Sequence, residues 1–496
     1  MLTKRQRNAP VPPSGESDSH DGRHDRVIPY PSWLNAGDNT WQLVAATLVG
    51  LMSIPGIAVL YAGLVQRKWA VNTMLMAFSA FSLVLVAWVL YEFKMSFGSP
   101  LHLGPGILHS AVGRPGTITG AGAETGKAGI PLVSGTGAMP DFRFPQSTLA
   151  YFQFAFAAIT PLLFLGSVIG RMNFRAWLLF VPLWSGIVYS VNAFLLWGGG
   201  WWAQAGALDY SGGYVIHLAA GTSGFVAAAV IGPRLARDRA KAVPNNLPMV
   251  AVGAGILWLG WNGFNGGDMY FGGQNAAAAV LNTNLATAVA LLTWLLLDMF
   301  AGPQRKPTFL GAINGMIVGL VAITPAAGFV TGVGAILVGL IASVIVWLSW
   351  NKLGKLGFMR KVDDALGVVH THGVAGLVGG LLVGLFADPA LAVYYNKDGS
   401  AVSYAGLFHG HPKQLLLQLG AAGTIIVWDA LMTFVILKAI GLFVKLRAPD
   451  EVLEIGDLAV HDEEAYPSEE GLAVVGAAVS APVKAKEPVA EPAAEP

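Results

Sequence analysis

Cysteine is absent from the 496 residues, which excludes disulfides and thiolate metal sites. Charge is scarce. Asp, Glu, Lys and Arg make up 12% of the chain, where a soluble protein carries about a quarter. Basic blocks interleaved with aromatics are missing and the net charge is +1, so nothing points to nucleic acid. No short apolar core follows the basic Lys4–Arg7 region, so the N-terminus does not read as a signal peptide. What remains is hydrophobic: 54% of the residues, with a mean hydropathy of +0.57. The fold class that follows is an all-α, multi-pass membrane protein.

A spanning helix needs about 20 apolar residues. Eleven stretches qualify: Trp41–Val65, Val71–Tyr91, Leu149–Ile169, Ala176–Trp197, Gly213–Gly232, Leu247–Phe264, Ala276–Phe300, Phe309–Ile323, Val333–Trp350, Leu366–Phe386 and Leu415–Phe443. The eighth is the shortest. Basic residues fall in alternate connections, at Arg67/Lys68, Arg171/Arg175, Arg234–Lys241, Arg305/Lys306, Lys352–Lys361 and Lys445/Arg447. Positive loops stay on the cytoplasmic side, so eleven spans put the N-terminus outside and the C-terminus inside. Residues 1–36 read as a polar tail and 37–447 as the transmembrane domain. Residues 448–496 read as a cytoplasmic tail that is largely disordered, ending in an Ala/Pro/Val/Glu run. Residues 92–148 form a long outer connection rich in Gly and Pro, read as a surface loop. The 62 glycines suit close helix packing in lipid.

One pattern occurs twice. Asp209 leads to His217, Gly221 and Gly224; Asp364 leads to His372, Gly376 and Gly379. Both read D-x7-H-x3-G-x2-G, on the fifth and tenth spans. This implies a five-plus-five inverted repeat with one extra helix, and a site at the repeat interface. One histidine in a span would read as a packing residue. Two in matched copies point to a shared site, because a neutral imidazole pair can accept, pass and return a proton without holding a permanent charge in the bilayer. A metal centre would need further ligands, and no third is evident, so neither metal nor cofactor is expected. His370 lies roughly 200° round the helix from His372 and is left out of the pore. Asp209 and Asp364, about two turns before their histidines, read as structural supports accepting from unpaired backbone N–H groups. The segment Gly260–Asp268 reads as a helix breaking at the outer surface. Its aromatics, and Trp197 before three glycines, are either interface anchors or a cation-attracting vestibule.

Several of these pieces, in order, carry a resemblance. They are Ile54–Ala58, Phe152–Thr160, Trp197–Gly200, Leu208–Gly213 leading to His217, Asn246–Met249, Gly263–Asn265, and Asp363-Asp364 leading to His372-Gly373. Over roughly residues 38–466 the chain resembles the ammonium transporter, methylammonium permease and Rh family. GWNGFNGGD, LNTN and HTHGVAG look most like the branch with the second type of plant ammonium transporter and its bacterial relatives.

The resemblance implies a homotrimer in a cell membrane (plasma or inner) with one pore per protomer, carrying ammonium or its analogue methylammonium and performing no enzymatic reaction. It implies an outer recruitment site with Trp197 as a cation-π face, a phenylalanine gate of Phe156 and Phe264 with Phe152 nearby, and His217 and His372 lining the pore below. Asp209 is the implied support of the recruitment site. Where many members carry a serine four residues after the gate phenylalanine, this chain has Asp268, which either attracts the cation or caps the outer loop. Gly367 stands where many have an aspartate. The segment from Leu446 to Tyr466 is similar to a tail that helps dock a PII-type regulatory protein in relatives. Two rival functions stay open here, an electroneutral ammonia channel of the Rh kind and an ammonium sensor.

Overall fold

The computed structural model describes residues 30–133, 141–240, 243–396 and 398–466. Most of the N-terminal tail and the run from residue 467 lie outside the described residues.

Among the described residues, eleven apolar helices follow in chain order: α1 (Ala36–Leu64), α2 (Arg67–Phe97), α3 (Gln146–Val168), α4 (Phe174–Ala205), α5 (Gly213–Ile231), α6 (Leu247–Gly266), α7 (Gln274–Phe300), α8 (Phe309–Ile323), α9 (Gly332–Asn351), α10 (Val369–Phe386) and α11 (Pro412–Gly441). Ten are long and apolar enough to cross a membrane; α8, with 15 residues, is the exception. At 1.5 Å per residue α8 reaches about 22 Å, short of the roughly 30 Å hydrocarbon core. The eighth expected span is therefore a helix, but one below spanning length, and the chain leaves it in turns over residues 324–330.

Helix starts follow the capping residues in the sequence. The Asn35, Asn173, Asn246 and Thr308 side chains accept backbone N–H groups at the starts of α1, α4, α6 and α8. The centre of the bundle is α3, whose residues 152–168 are all buried against α1, α2 and α5. Ridges of large side chains cannot bring backbones this close in lipid, where apolar burial gives no net drive; small residues do. Thus Gly315 and Gly319 of α8 sit against the α7 backbone.

The α2–α3 connection is not a loose surface loop. Its Ile118, Ile130, Val133, Phe142 and Phe144 are buried, which holds the segment down over the bundle. A two-stranded hairpin, β1 (Tyr394–Tyr395) with β2 (Ala401–Val402), follows α10.

The basic connections gather at the opposite end. Arg234 donates to the Asp363 carboxylate at 2.7 and 2.9 Å, and Arg171 bonds the Asp363 carbonyl. Lys68 pairs with Asp238 at 3.0 Å and donates to the Leu453 carbonyl at 2.7 Å. Residues 448–466 dock here as α12 (Asp450–Ile455) and α13 (Asp457–His461). Asp457 accepts from the backbone N–H groups of Val71 and Asn72 at 2.8 and 2.9 Å, satisfying the first turn of α2.

Candidate functional site

The two copies of the repeated motif form the same local structure. Both α5 and α10 open with a π-helical turn, Gly213–Leu218 and Val369–Val374, and each turn carries its histidine. The aspartate of each motif serves the N–H groups that such a start leaves free. Asp209 accepts from Gly212, Gly213, Tyr214 and Val215 at 2.6 to 3.1 Å. Asp364 accepts from Val368 and Val369 at 3.1 and 2.8 Å and from the Ser167 hydroxyl at 2.8 Å. Burial pushes the Asp209 carboxyl up to about 6, against the pull of its four backbone hydrogen bonds.

The glycines of the motif bring the two turns together. A Cβ on Gly221 would lie 2.2 Å from the Cα of Gly373, and one on Gly376 would lie 2.5 Å from the Gly213 carbonyl oxygen. With nothing between the backbones, His217 Nδ1 and His372 Nδ1 stand 3.2 Å apart, one donating and the other accepting. Both rings are buried. The Nε2 of His217 is buried with no hydrogen-bond partner among the described residues.

A line of rings runs outward from the pair. His217 stacks on Phe264 and on Trp261, with centroids 5.9 and 5.4 Å away. Phe264 lies 4.5 Å from Phe156, and Phe156 lies 6.2 Å from Trp197, edge to face. Phe152 packs behind Phe156 at 4.8 Å. The Trp197 indole N–H donates to the Asp209 carbonyl at 2.7 Å, so the Asp209 turn fixes that ring too.

Beyond the rings lies a cavity of about 130 Å³, lined by Trp197, Asp209, Tyr210, Asp268, Phe329 and Tyr404 among others. Asp268 is buried just past the end of α6. The Ser211 hydroxyl joins it to the Phe264 carbonyl, at 2.7 Å from the latter. Burial drives the Asp268 carboxyl well above its ordinary range; the Ser211 hydrogen bond opposes this and the nearby Asp209 adds to it. Residues 269 and 270 both adopt left-handed backbone, with φ of 58 and 64°. That turn aims the Tyr270 hydroxyl at Gln153, 2.9 Å away.

All seven pore candidates named from sequence thus converge on one line. Sequence reasoning missed Trp261, Ser211 and Tyr210. Tyr210 and Ser211 lie within Leu208–Gly213 and Trp261 within GWNGFNGGD, which was the available signal; nothing in the sequence pointed to Tyr404, which comes from the far side of the hairpin. Gly367 has a φ of 75°, and a side chain there would begin 2.0 Å from the Trp350 ring. The aspartate of many relatives therefore has no room. Among the described residues, no group of three His, Asp or Glu could hold a metal ion.

Known proteins share this architecture. A sequence model of the Ammonium Transporter Family matches residues 40–466. "Ammonium transporter 2" of Arabidopsis thaliana is 48% identical over 450 residues, covering 90% of this chain and 91% of its own. "Ammonium transporter 2 member 1" of Oryza sativa subsp. japonica is 47% identical over 450 residues, with 90% of each chain covered. Among solved structures, Saccharomyces cerevisiae Mep2 superimposes with a TM-score of 0.72 at 30% identity, over 84% of this chain and 90% of that one. Candida albicans Mep2 gives a TM-score of 0.73 at 28% identity, over 88% and 93%. With the family's sequence running through every helix of the bundle, this multi-pass membrane protein belongs to the ammonium transporter family, whose work is transport and not enzymatic chemistry.

Proposed function

We propose that the chain conducts ammonium by recruiting the cation outside, stripping its proton, passing ammonia through an apolar constriction and moving the proton along His217 and His372. The observation that carries this reading is the sealed histidine pair, 3.2 Å apart behind the contacting rings of Phe156 and Phe264. An intact ammonium ion would lose its hydration in such a passage, at a cost of several kcal/mol or more. Neutral ammonia would not, and a neutral imidazole pair can carry the proton separately. Potassium has no proton to give up, so selectivity follows from the same physics.

Recruitment falls to the outer cavity. The Trp197 ring face attracts the cation, and a cation held in the same cavity would favour the ionised form of the buried Asp268 carboxyl. Asp209 and Asp364 are positioning residues, holding the two turns that carry the histidines. The eleven helices, α8 included, form a five-plus-five inverted repeat plus α11 in a cell membrane. The basic loops and the C-terminus face the cytoplasm and the N-terminus faces outside, which the clustering of Lys68, Arg171, Arg234 and Arg447 at one end supports. The protein works as a homotrimer, and α12 and α13 form part of a surface for a PII-type regulator.

The test is current from purified protein in proteoliposomes after an ammonium jump, with potassium as control and methylammonium as analogue. Current with ammonium and none with potassium supports the reading. Rapid internal alkalinisation without current replaces it with the electroneutral channel; binding with neither signal replaces it with a sensor.

A further inference from the structure

The reading above gives the proton no acceptor on the inner side of the histidine pair. A cavity of about 260 Å³ lies there, lined by His370, Asp364, Gly367, Trp350, Gly354 and Phe225 among others. That is room for several water molecules. It adjoins a larger cavity of about 460 Å³, with which it shares Trp350 and Ala365, and which extends to Lys306 and Asp238 among the basic connections.

His370 belongs to the same π-helical turn as His372 but faces this cavity. Three contacts set its ring. Nδ1 lies 2.8 Å from the Ser349 hydroxyl on α9. The Trp350 ring meets it edge-on at 5.6 Å. A Cβ on Gly354 would stand 3.2 Å from Nε2, so that nitrogen points to the side left open by the glycine. Asp364, whose oxygens cap α10, lines the same cavity and supplies negative charge beside the ring. Asp363 next to it is already engaged by Arg234 and Arg171.

We propose that His370, oriented by Ser349 and facing Asp364, is the inner proton acceptor of the transport path. The proposal rests on the proton-relay reading. A proton leaving the His217–His372 pair is accepted at Nε2, making the ring an imidazolium whose Nδ1–H donates to Ser349. The Asp364 carboxylate balances the charge, and the proton is released from Nε2 to water in the inner cavity. Only N–H bonds of the rings and an O–H bond of the accepting water change.

A ring that only ties α9 to α10 would show different behaviour, and two variants separate the roles. His370→Gln keeps a side chain able to bond Ser349 but cannot carry the proton. His370→Gly opens a space that imidazole can fill. Currents and internal alkalinisation are recorded in proteoliposomes for wild type and both variants, with and without imidazole inside. His370→Gln is expected to lose current by about tenfold or more while ammonia that still enters without its proton alkalinises the interior, and imidazole restores current to His370→Gly. Current in His370→Gln within about twofold of wild type overturns the proposal. If His370→Gln does not fold, His370→Gly decides: recovery with imidazole supports the assignment and no recovery overturns it. Wild-type alkalinisation without current would instead remove the relay reading, and this inference with it, before any variant is compared.

Discussion

Asp209 is where one substitution should damage both the fold and the function. Its two oxygens accept four backbone N–H groups at the start of α5, and its carbonyl holds the Trp197 indole. The side chain is buried, so Asp209→Ala leaves these donors without water to replace the carboxylate. A buried unsatisfied donor costs roughly 1–3 kcal/mol, and four at the low end give a loss of about 4 kcal/mol. Asp209→Asn keeps one accepting oxygen and turns an NH2 group toward the other two amides, so it should lose about half as much. Unfolding in mixed micelles measures both. At neutral pH the assay lies above the value of about 6 to which burial pushes this carboxyl, so the group is ionised. The Trp197 ring loses its anchor when the turn loosens, and ammonium current should fall in the same order, wild type above Asn above Ala. A loss below about 1 kcal/mol in Asp209→Ala, with unchanged current, would refute the claim that this carboxylate holds the turn.

Trp197→Ala removes a cation-π face worth about 0.5–2 kcal/mol, so the apparent affinity for ammonium in current titrations should weaken by roughly 2- to 30-fold. Gly221→Ala drives a methyl to 2.2 Å from backbone on α10, whereas Gly373→Ala meets Gly221 at 3.1 Å; folded yield should collapse in the first and fall only modestly in the second. The inner clamp should fail in acid. Burial pushes Asp363 up, but hydrogen bonds and charge from Arg234, with the charge of Arg171, hold it below the ordinary 3.8. A depressed folded-state pKa gives stability that is present above 3.8 and lost as pH falls through the folded value. The thermal midpoint of wild type should therefore drop more between pH 6 and pH 3 than that of Asp363→Asn.

The helices were legible because lipid demands long apolar runs, and all eleven stretches became helices. Their ends were less so. α1 starts at Ala36, not Trp41, because Asn35 caps it, and α10 starts at Val369, not Leu366, because Asp364 binds the N–H groups of Val368 and Val369. Composition made the α2–α3 connection look like a loose loop. Its scattered Ile118, Ile130, Phe142 and Phe144 have no helical or strand period, yet they bury against the bundle. The histidine pair was readable because a duplicated motif repeats chemistry at fixed spacing. The π-helical turns that present both rings leave no such trace in the sequence. Nor did spacing on an ideal helix give His370 a role, because its partners Ser349 and Trp350 come from another helix.

In this account ammonium gives up its proton before the Phe156–Phe264 constriction, and the His217–His372 pair carries that proton. The most direct measurement is ammonium-driven current, with and without potassium, in proteoliposomes holding the His217→Ala/His372→Ala double variant beside wild type. The account predicts that the ammonium-selective current disappears in the double variant while the protein remains folded. A current of wild-type size that still excludes potassium would contradict it.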